Sequence, residues 1–209
     1  MVSVHSEDTF GGRTAELIRA GRLFFERGWV PATAGNFSAR LDARHLAITV
    51  SGRHKGELGA EDFLVVDLDG QVRSEGKKPS AELPLHLQLY QRDEELGAVL
   101  HTHSIGATLL SRLHRGALVL EGYEVLKALR GIHTHEARVE VPIFPNDQDV
   151  GRLAAGVQEY MAEHAPMHGY LIAGHGLYTW GRSVTEACRH LEAFEFLFAC
   201  EIEMRRLGR

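Results

Sequence analysis

The feature that most constrains this chain is an apolar run that ends in two histidines, residues 98–104 with the sequence AVLHTHS. A short apolar run of this kind is typical of a buried β-strand, in which successive side chains point to opposite faces. His101 and His103 are two residues apart, so we expect them on the same face of the strand. A single cation could contact both imidazoles there.

A third histidine, His175, lies far downstream between two glycines. Catalytic zinc usually takes three protein ligands and keeps one coordination position open for water or substrate. The flanking glycines remove side-chain bulk and allow unusual backbone angles, so the ring of His175 can approach a crowded site. We therefore predict that His101, His103 and His175 come together, with Glu82 and Glu124 as the carboxylates of the same site.

A second tripeptide, His133-Thr134-His135, repeats the spacing and is a rival metal site. It has no apolar run before it and is followed by Glu136 and Arg138, a pattern more typical of a solvated loop. The sequence His-Thr-His is therefore not diagnostic by itself. The apolar run before residues 101–103 favours that copy as the metal site.

Composition limits the class of protein. The chain has 209 residues, of which 44% are hydrophobic and 24% charged, and this predicts one soluble domain over residues 1–209. A net charge of −5 without a basic cluster argues against nucleic-acid binding, while an anionic small molecule remains possible at a locally positive site. No apolar run is long enough for a membrane span, and the N-terminus does not resemble a signal peptide.

Cysteine usage favours a reducing compartment. The chain has two cysteines, Cys188 and Cys200, in one helical pattern. They are about 18 Å apart along a helix axis, too far for a disulfide. We therefore expect a cytoplasmic protein.

The order of predicted elements indicates a three-layer α/β fold. Separated strands and hairpins are mixed with flanking helices without a regular strand–helix–strand repeat, so we expect a largely antiparallel sheet. Helices are predicted over about 9–27, from Ser80 as N-cap through 92, over 105–113, from 146–149 to 166, and from Ser183 onwards, with Glu186 at capping-box spacing. Strands are predicted after the turn 33–38, over 46–50, over 63–68 with a hairpin into 71–73, over 98–101, 118–120, 139–144, 169–173 and 177–180, and a short helical piece ends at 129.

Several turn residues are of the kind that bind a phosphate group. Small side chains, hydroxyls and free backbone N–H groups form such cradles. Each of these residues is also a common turn residue, so their convergence depends on the tertiary structure. The candidates are Gly35, Asn36, Ser51, Gly52 and Ser80.

The motifs of this chain, in the order in which they occur, resemble those of the class II aldolase/adducin family. The resemblance covers nearly the whole chain and rests on residues 33–38, 48–52, 78–82, 99–103 and 174–176, with a closer likeness to the family's dehydratases at 122–127, 145–149 and 168–181. It implies an α/β/α sandwich, assembled as a homotetramer with active sites near the subunit interfaces.

The resemblance also implies roles for individual residues. His101, His103 and His175 match the family's zinc ligands, which implies one Zn²⁺ per subunit. Glu82 matches the glutamate that is a metal ligand and acid/base in the aldolases, whereas the acid/base of the dehydratases matches Glu124. The phosphate-binding positions fall on Gly35, Asn36, Ser51, Gly52 and Ser80. Ala81 departs from the family, because the aldolases generally have a second serine there.

Three activities stay open. The resemblance favours zinc-dependent dehydration of a 2-ketopentose carrying a 1-phosphate and a 5-methylthio group, a step of methionine salvage. The alternative is an aldolase that cleaves a deoxyketose 1-phosphate, but those enzymes typically use a C-terminal tyrosine, and residues 204–209 contain none. A non-catalytic, adducin-like interaction module is less favoured, because such modules lack the full histidine set. In each enzymatic case the partner is a small sugar phosphate.

Overall fold

Five α-helices and eight strands are present in the computed structural model, which describes residues 4–73, 76–164 and 166–208. The helices are α1 (Val4–Glu26), α2 (Leu83–Arg92), α3 (Ile105–Leu113), α4 (Val150–Glu163) and α5 (Val184–Arg206). The strands are β1 (Asn36–Arg40), β2 (His45–Thr49), β3 (Phe63–Asp67), β4 (Ala98–Thr102), β5 (Ala117–Glu121), β6 (Arg138–Phe144), β7 (Gly169–Ile172) and β8 (Gly176–Gly181). Short 3₁₀ turns cover Lys55–Glu57, Ala60–Asp62 and Glu124–Ala128.

All eight strands belong to one sheet, in the order β3-β2-β1-β4-β8-β7-β6-β5. Every neighbouring pair is antiparallel except β6 and β7, which are parallel. Helices cover both faces of the sheet. The predicted α/β/α sandwich around a largely antiparallel mixed sheet is therefore confirmed.

Two hydrophobic cores lie on opposite faces of this sheet. One core packs α1, α3 and α5 against the strands, and the other packs α2 and α4 against them. Strand β4 contributes to both, since Ala98 and Leu100 enter the first core and Val99 enters the second. Burial on both faces explains why this strand reads as an uninterrupted apolar run.

The start of α2 differs from its prediction. Ser80 is not the N-cap, because it lies three residues before the helix begins and its hydroxyl accepts a hydrogen bond from the backbone N–H of Glu82 at 3.2 Å. Glu82 itself occupies the N-cap position, and its side chain makes no capping bond. Pro84 lies in the first turn, as predicted, where its missing N–H leaves no helical hydrogen bond unmade.

Three other local predictions are only partly right. The hairpin after β3 forms, but its second arm pairs through a single bridge between Val66 and Val72. Ser183 caps α5 through the N–H of Glu186, whereas the Glu186 carboxylate bonds Arg182 N and leaves the capping box incomplete. Helix α1 begins before residue 9, in a stretch without apolar periodicity.

Two further predictions were that the cysteines form no disulfide and that no segment spans a membrane. Cys188 and Cys200 are both unpaired thiols on α5, as their separation requires. No helix within the described residues is both long and apolar enough to cross a membrane.

Candidate metal centre

The centre of the sheet brings three side chains together by strand register. His101 on β4 pairs with Asn36 on β1 and with Tyr178 on β8. Side chains directly opposite each other in neighbouring antiparallel strands lie on the same face. The rings of His101 and Tyr178 accordingly stack, with centroids 4.0 Å apart and planes 13° from parallel.

Three histidine nitrogens converge next to the side chains of Asn36 and Tyr178. The Nε2 atom of His101 lies 2.8 Å from Nε2 of His103 and 3.3 Å from Nε2 of His175, and the latter two atoms are 3.1 Å apart. Tetrahedral ligands about 2.0–2.1 Å from a zinc ion are about 3.3 Å from one another. The three histidines that the sequence singled out thus form a group able to hold a metal ion.

The protonation of these rings suits metal binding. Burial lowers the pKa of His101 to about 4 and the pKa of His103 to about 3, so both rings are neutral at neutral pH. The Nδ1–H of His101 donates to the carbonyl oxygen of Leu177 at 2.9 Å, which leaves the lone pair on Nε2. A hydrogen bond of this kind orients a metal-binding imidazole and selects its tautomer.

The two glycines beside His175 have the expected effect on the backbone. Gly174 has a φ of +65°, a conformation that side chains disfavour. Gly176 packs so closely on β4 that a Cβ atom there would collide with the carbonyl oxygen of Thr102. Replacing either glycine would therefore move His175 away from the other two rings.

Glu82 meets the histidines from the start of α2. Its Oε1 atom lies 3.0 Å from His175 Nε2, and its Oε2 atom lies 3.3 Å from His101 Nε2. Burial raises the pKa of the Glu82 carboxyl, but His101 and His175 oppose this effect and the pKa ends well below its usual range. Glu82 is therefore an ionised carboxylate at neutral pH and is available as a further ligand.

Buried hydrogen bonds hold this carboxylate in place. Oε2 of Glu82 accepts one bond from Asn36 Nδ2 at 2.6 Å and another from the Tyr178 hydroxyl at 2.8 Å. Asn36 accepts in turn from His86 Nε2 at 2.5 Å, and His86 Nδ1 is bonded to Ser38 Oγ at 2.7 Å. Burial lowers the pKa of His86 to about 4, so this ring is neutral, with one donating and one accepting nitrogen.

Sequence reasoning missed two members of this network, Tyr178 and His86. Tyr178 lies in a predicted strand, and only its register with His101 shows that it belongs to the site. His86 occupies an apolar face of α2, where a histidine gives no distinctive signal. Asn36 was predicted to bind phosphate, whereas its side-chain amide is engaged by Glu82 and His86.

A cleft of about 320 Å³ opens beside the centre, with Glu82 and His103 in its wall. All five predicted phosphate-binding residues line it, from Gly35 and Asn36 through Ser51 and Gly52 to Ser80. Gly35 needs to be a glycine, because its φ is +80° and a Cβ atom would lie 2.6 Å from the carbonyl oxygen of His101. Lys55 also lines the cleft and was not singled out from the sequence.

Glu124 lies apart from this cleft. It begins the 3₁₀ turn Glu124–Ala128, and its side chain is 71% exposed. A hydrogen bond of 2.6 Å from Lys127 lowers its pKa, and His135 Nδ1 lies 3.9 Å from its other carboxylate oxygen. Among the described residues, Glu124 does not line the cleft and is not within ion-pair distance of the three histidines.

The rival tripeptide does not form a comparable group. His133, Thr134 and His135 are all exposed and belong to neither a helix nor a strand. Within the part of the chain that the structure describes, the group formed by His101, His103 and His175 is the one cluster of three or more side chains close enough to share a metal ion.

A second cavity, of about 510 Å³, lies elsewhere. It is lined by residues of α2, α4 and β8, among them Arg92, Met161 and Trp180, and it shares no lining residue with the cleft beside the histidines. We take the smaller cleft as the candidate site because it contains the metal-binding group.

The comparisons with known proteins agree with this geometry. Residues 15–202 match the family described as class II aldolase and adducin N-terminal domain. A solved structure of l-fuculose-1-phosphate aldolase from Thermus thermophilus is 28% identical, with a TM-score of 0.77, and covers 95% of this chain and 98% of that one.

Curated relatives are more similar still. A protein of Methylococcus capsulatus named methylthioribulose-1-phosphate dehydratase is 58% identical over 200 residues, which cover 96% of this chain and 98% of the relative. A protein of the same name from Pseudomonas aeruginosa is 56% identical over 197 residues, covering 94% and 96%. Both alignments therefore run through the strands, turns and helices that build the histidine centre and its cleft.

Proposed function

The chain belongs to the class II aldolase and adducin family, and on that premise we propose that it is a methylthioribulose-1-phosphate dehydratase. The reaction converts 5-methylthioribulose 1-phosphate to 2,3-diketo-5-methylthiopentyl 1-phosphate with loss of water, a step of methionine salvage. The observation that carries this assignment is the match, at 55–58% identity and over more than nine-tenths of the chain, with proteins of that name. We further propose that residues 1–209 form one such domain and that it works in the reducing cytoplasm, where unpaired thiols persist.

Zinc is the metal we propose for the histidine centre, at one ion per subunit. Three histidine imidazoles with an open side towards a cleft are the donor set typical of catalytic zinc. When bound, zinc would supply a Lewis acid that polarises the substrate's C2 carbonyl and lowers the energy of negative charge on its oxygen. Glu82 is held against the same nitrogens by Asn36 and Tyr178, so it either completes the metal's ligand set or orients the substrate.

The cleft is the proposed site for the substrate's phosphate. Its candidate residues are Gly35, Asn36, Ser51, Gly52 and Ser80. The Ser80 hydroxyl accepts from Glu82 N and can donate its own hydrogen to a phosphate oxygen. Asn36 acts chiefly through Glu82, since its amide is already hydrogen-bonded. A phosphate in this cleft would hold the sugar next to the histidines.

Glu124 is the proposed acid/base. Dehydration requires removal of the C3 proton, next to the carbonyl, and loss of the C4 hydroxyl. Glu124 takes the C3 proton and returns it to the departing hydroxyl, and the enol then tautomerises to the diketone. Its low pKa, caused by the bond from Lys127, keeps it ionised as a base. Proton transfer of this kind typically contributes about 10²–10⁴-fold to the rate.

The exposed position of Glu124 leads us to propose that it acts in the cleft of a neighbouring subunit of a homotetramer. Two helices carry unpartnered apolar side chains that such an assembly would cover. On α3 these are Ile105, Leu109 and Leu113, which recur at helical spacing and are 75%, 44% and 59% exposed. On α5 they are Phe196 and Met204, and Leu207 follows directly after the helix.

Two measurements test the proposal. Metal-loaded protein is incubated with 5-methylthioribulose 1-phosphate, and the products are analysed for water loss. Carbon–carbon cleavage instead would identify an aldolase and overturn the dehydratase assignment. The Glu124→Gln variant should retain its metal and lose about 10²–10⁴-fold in turnover; an unchanged rate would remove Glu124 from the mechanism.

Co-expression of Glu124→Gln with His101→Ala tests the shared site. Each variant alone should be inactive. In mixed assemblies, a site that takes its glutamate from one subunit and its histidines from another would be intact in about one case in four. Activity that stays at the level of the single variants would place both groups in one subunit.

A further inference from the structure

Lys55 is a buried ammonium group in the wall of the candidate site. It opens the 3₁₀ turn Lys55–Glu57, and the residue is 1% exposed. Its Nζ atom donates to the carbonyl oxygens of Thr33 at 2.8 Å and Arg53 at 2.6 Å. An ammonium has three N–H donors, so these two bonds leave one of them for a ligand.

The Lys55 ammonium makes no close ion pair within the described part of the chain. Among the residues that the structure describes, no Asp or Glu oxygen forms an ion pair with Lys55. Glu82 lines the same cleft and acts on Lys55 only from a longer distance, since Asn36 and Tyr178 hold its carboxylate against the histidines. Burial of an unpaired charge is strongly unfavourable unless a counter-charge arrives. Buried ionisable groups of this kind cluster at functional sites.

The other cleft residues cannot neutralise an anion. Lys55 is the one lysine or arginine in the described lining. The backbone N–H of Ser51 is already bonded to the carbonyl oxygen of Lys78. Ala81, also in the wall, offers no side-chain donor. A phosphate dianion placed here would find hydroxyl and amide donors but only one positive side chain.

We propose that Lys55 binds the phosphate group of the substrate and supplies the positive charge of that subsite. This inference rests on the proposed function, because it assumes a phosphorylated substrate in this cleft. Burial lowers the pKa of Lys55 to about 8, with Glu82 opposing the effect, so the ammonium form prevails at neutral pH. A bound dianion adds a second opposing charge and favours that form further.

A purely structural role is the competing explanation, since Lys55 ties the turn at Thr33 to the turn at Arg53. Two substitutions separate these roles. Lys55→Met keeps the length of the side chain and removes both the charge and the hydrogen bonds. Lys55→Gln removes the charge but keeps an amide that can donate to the two carbonyls, so it remains informative if the methionine variant fails to fold. Lys77→Met is the matched control, because Lys77 is an exposed lysine that donates to the carbonyl oxygen of Glu61.

The experiment compares ligands with and without a phosphate. In zinc-loaded protein, both Lys55 variants should raise KM for 5-methylthioribulose 1-phosphate and the inhibition constant of inorganic phosphate by about 10- to 100-fold, the range expected for a lost charge-assisted hydrogen bond. Inhibition by 5-methylthioribulose, which lacks the phosphate, should be unchanged, as should zinc content. Lys77→Met should behave like the unsubstituted protein in every assay.

The outcomes distinguish the two proposals. Equal weakening of the phosphorylated and unphosphorylated ligands, or an unchanged KM and phosphate constant, would overturn the role of Lys55 while the dehydratase assignment stands. Lys55-dependent binding of inorganic phosphate, measured by calorimetry in a protein that does not dehydrate the substrate, would support the phosphate role and overturn the proposed reaction.

Discussion

The tripeptides at 101–103 and 133–135 have the same sequence, His-Thr-His, and opposite surroundings. The first spans the end of β4, which is hydrogen-bonded on one side to β1 and on the other to β8. His101 is completely buried there. The second lies between a 3₁₀ turn and β6, and all three of its residues are exposed.

The difference lies in what holds each ring. His101 is fixed by a hydrogen bond to Leu177, by stacking on Tyr178 and by Glu82 at 3.3 Å. The ring of His135 lies 3.9 Å from the exposed carboxylate of Glu124. Metal affinity depends on ligands that are already positioned and neutral, since ordering them on binding costs conformational entropy. A metal-binding spacing in a sequence therefore identifies a site only where the fold has fixed the rings beforehand.

The largest expected difference between the two tripeptides is in metal binding. His101→Ala removes one of three converging nitrogens and should lower zinc affinity by more than about 100-fold, because loss of a supporting residue alone typically costs 10- to 100-fold. His133→Ala should leave the zinc content unchanged. Elemental analysis after dialysis against a weak chelator measures both. Full zinc occupancy in the His101 variant would contradict the ligand set.

A smaller difference should appear in the pH dependence of stability without metal. The pKa of His101 is lowered to about 4 from an ordinary value of 6.5, so the unfolded chain binds a proton before the folded chain does. Its contribution to stability is complete above pH 6.5 and is lost as the pH falls towards 4. By pH 5 this loss amounts to about 2 kcal/mol.

Denaturant unfolding of metal-free protein at pH 7 and pH 5 checks this expectation. The decline in stability should be about 2 kcal/mol smaller in His101→Gln, which has no titratable ring at that position. His133→Gln should show the full decline, because His133 is exposed and its replacement changes no buried group. Equal declines in the two variants would show that folding does not lower the proton affinity of the His101 ring.

The smallest expected effect concerns the support behind the first tripeptide. Tyr178→Phe removes the hydroxyl that donates to Glu82 and keeps the ring stacked on His101. We expect about a 10-fold loss in zinc affinity or turnover. Tyr170→Phe is the matched control: Tyr170 is equally buried and stacks on Tyr178, but its hydroxyl has no hydrogen-bond partner within the described residues. Equal effects of the two substitutions would mean that the bond to Glu82 does not matter.

Much of the architecture was predictable from local patterns. The strands 98–101, 139–144 and 177–180 were predicted within one or two residues of their observed bounds, because apolar residues buried on one or both faces leave a clear periodicity. The N-terminus of α2 was placed wrongly, since Ser80 has the side chain of an N-cap but uses it within a preceding turn. The incomplete capping box at Ser183 has the same cause: a polar side chain can bond to more than one nearby backbone group.

The candidate site was predictable in part. His101, His103, Glu82 and the glycines around His175 carry signals of residue type and spacing, and they converge in the fold. Lys55 and His86 carry no such signal, because a lysine is ordinarily exposed and a histidine on a helix is ordinary. Glu124 was expected beside the metal and lies outside the cleft of its own chain, so its role remains a proposal that depends on assembly.

The sequence by itself determined the strand that ends in His101 and His103, the shared face of the two rings and the flexibility required around His175. These features depend on backbone geometry over a few residues, which neighbouring side chains specify. Only the tertiary structure decided which His-Thr-His is a candidate metal centre. It also decided that Tyr178 and Asn36 hold Glu82 and that Lys55 is buried in the cleft wall. The physical reason is register: residues far apart in the chain meet only through the pairing of β1, β4 and β8, which no local pattern specifies.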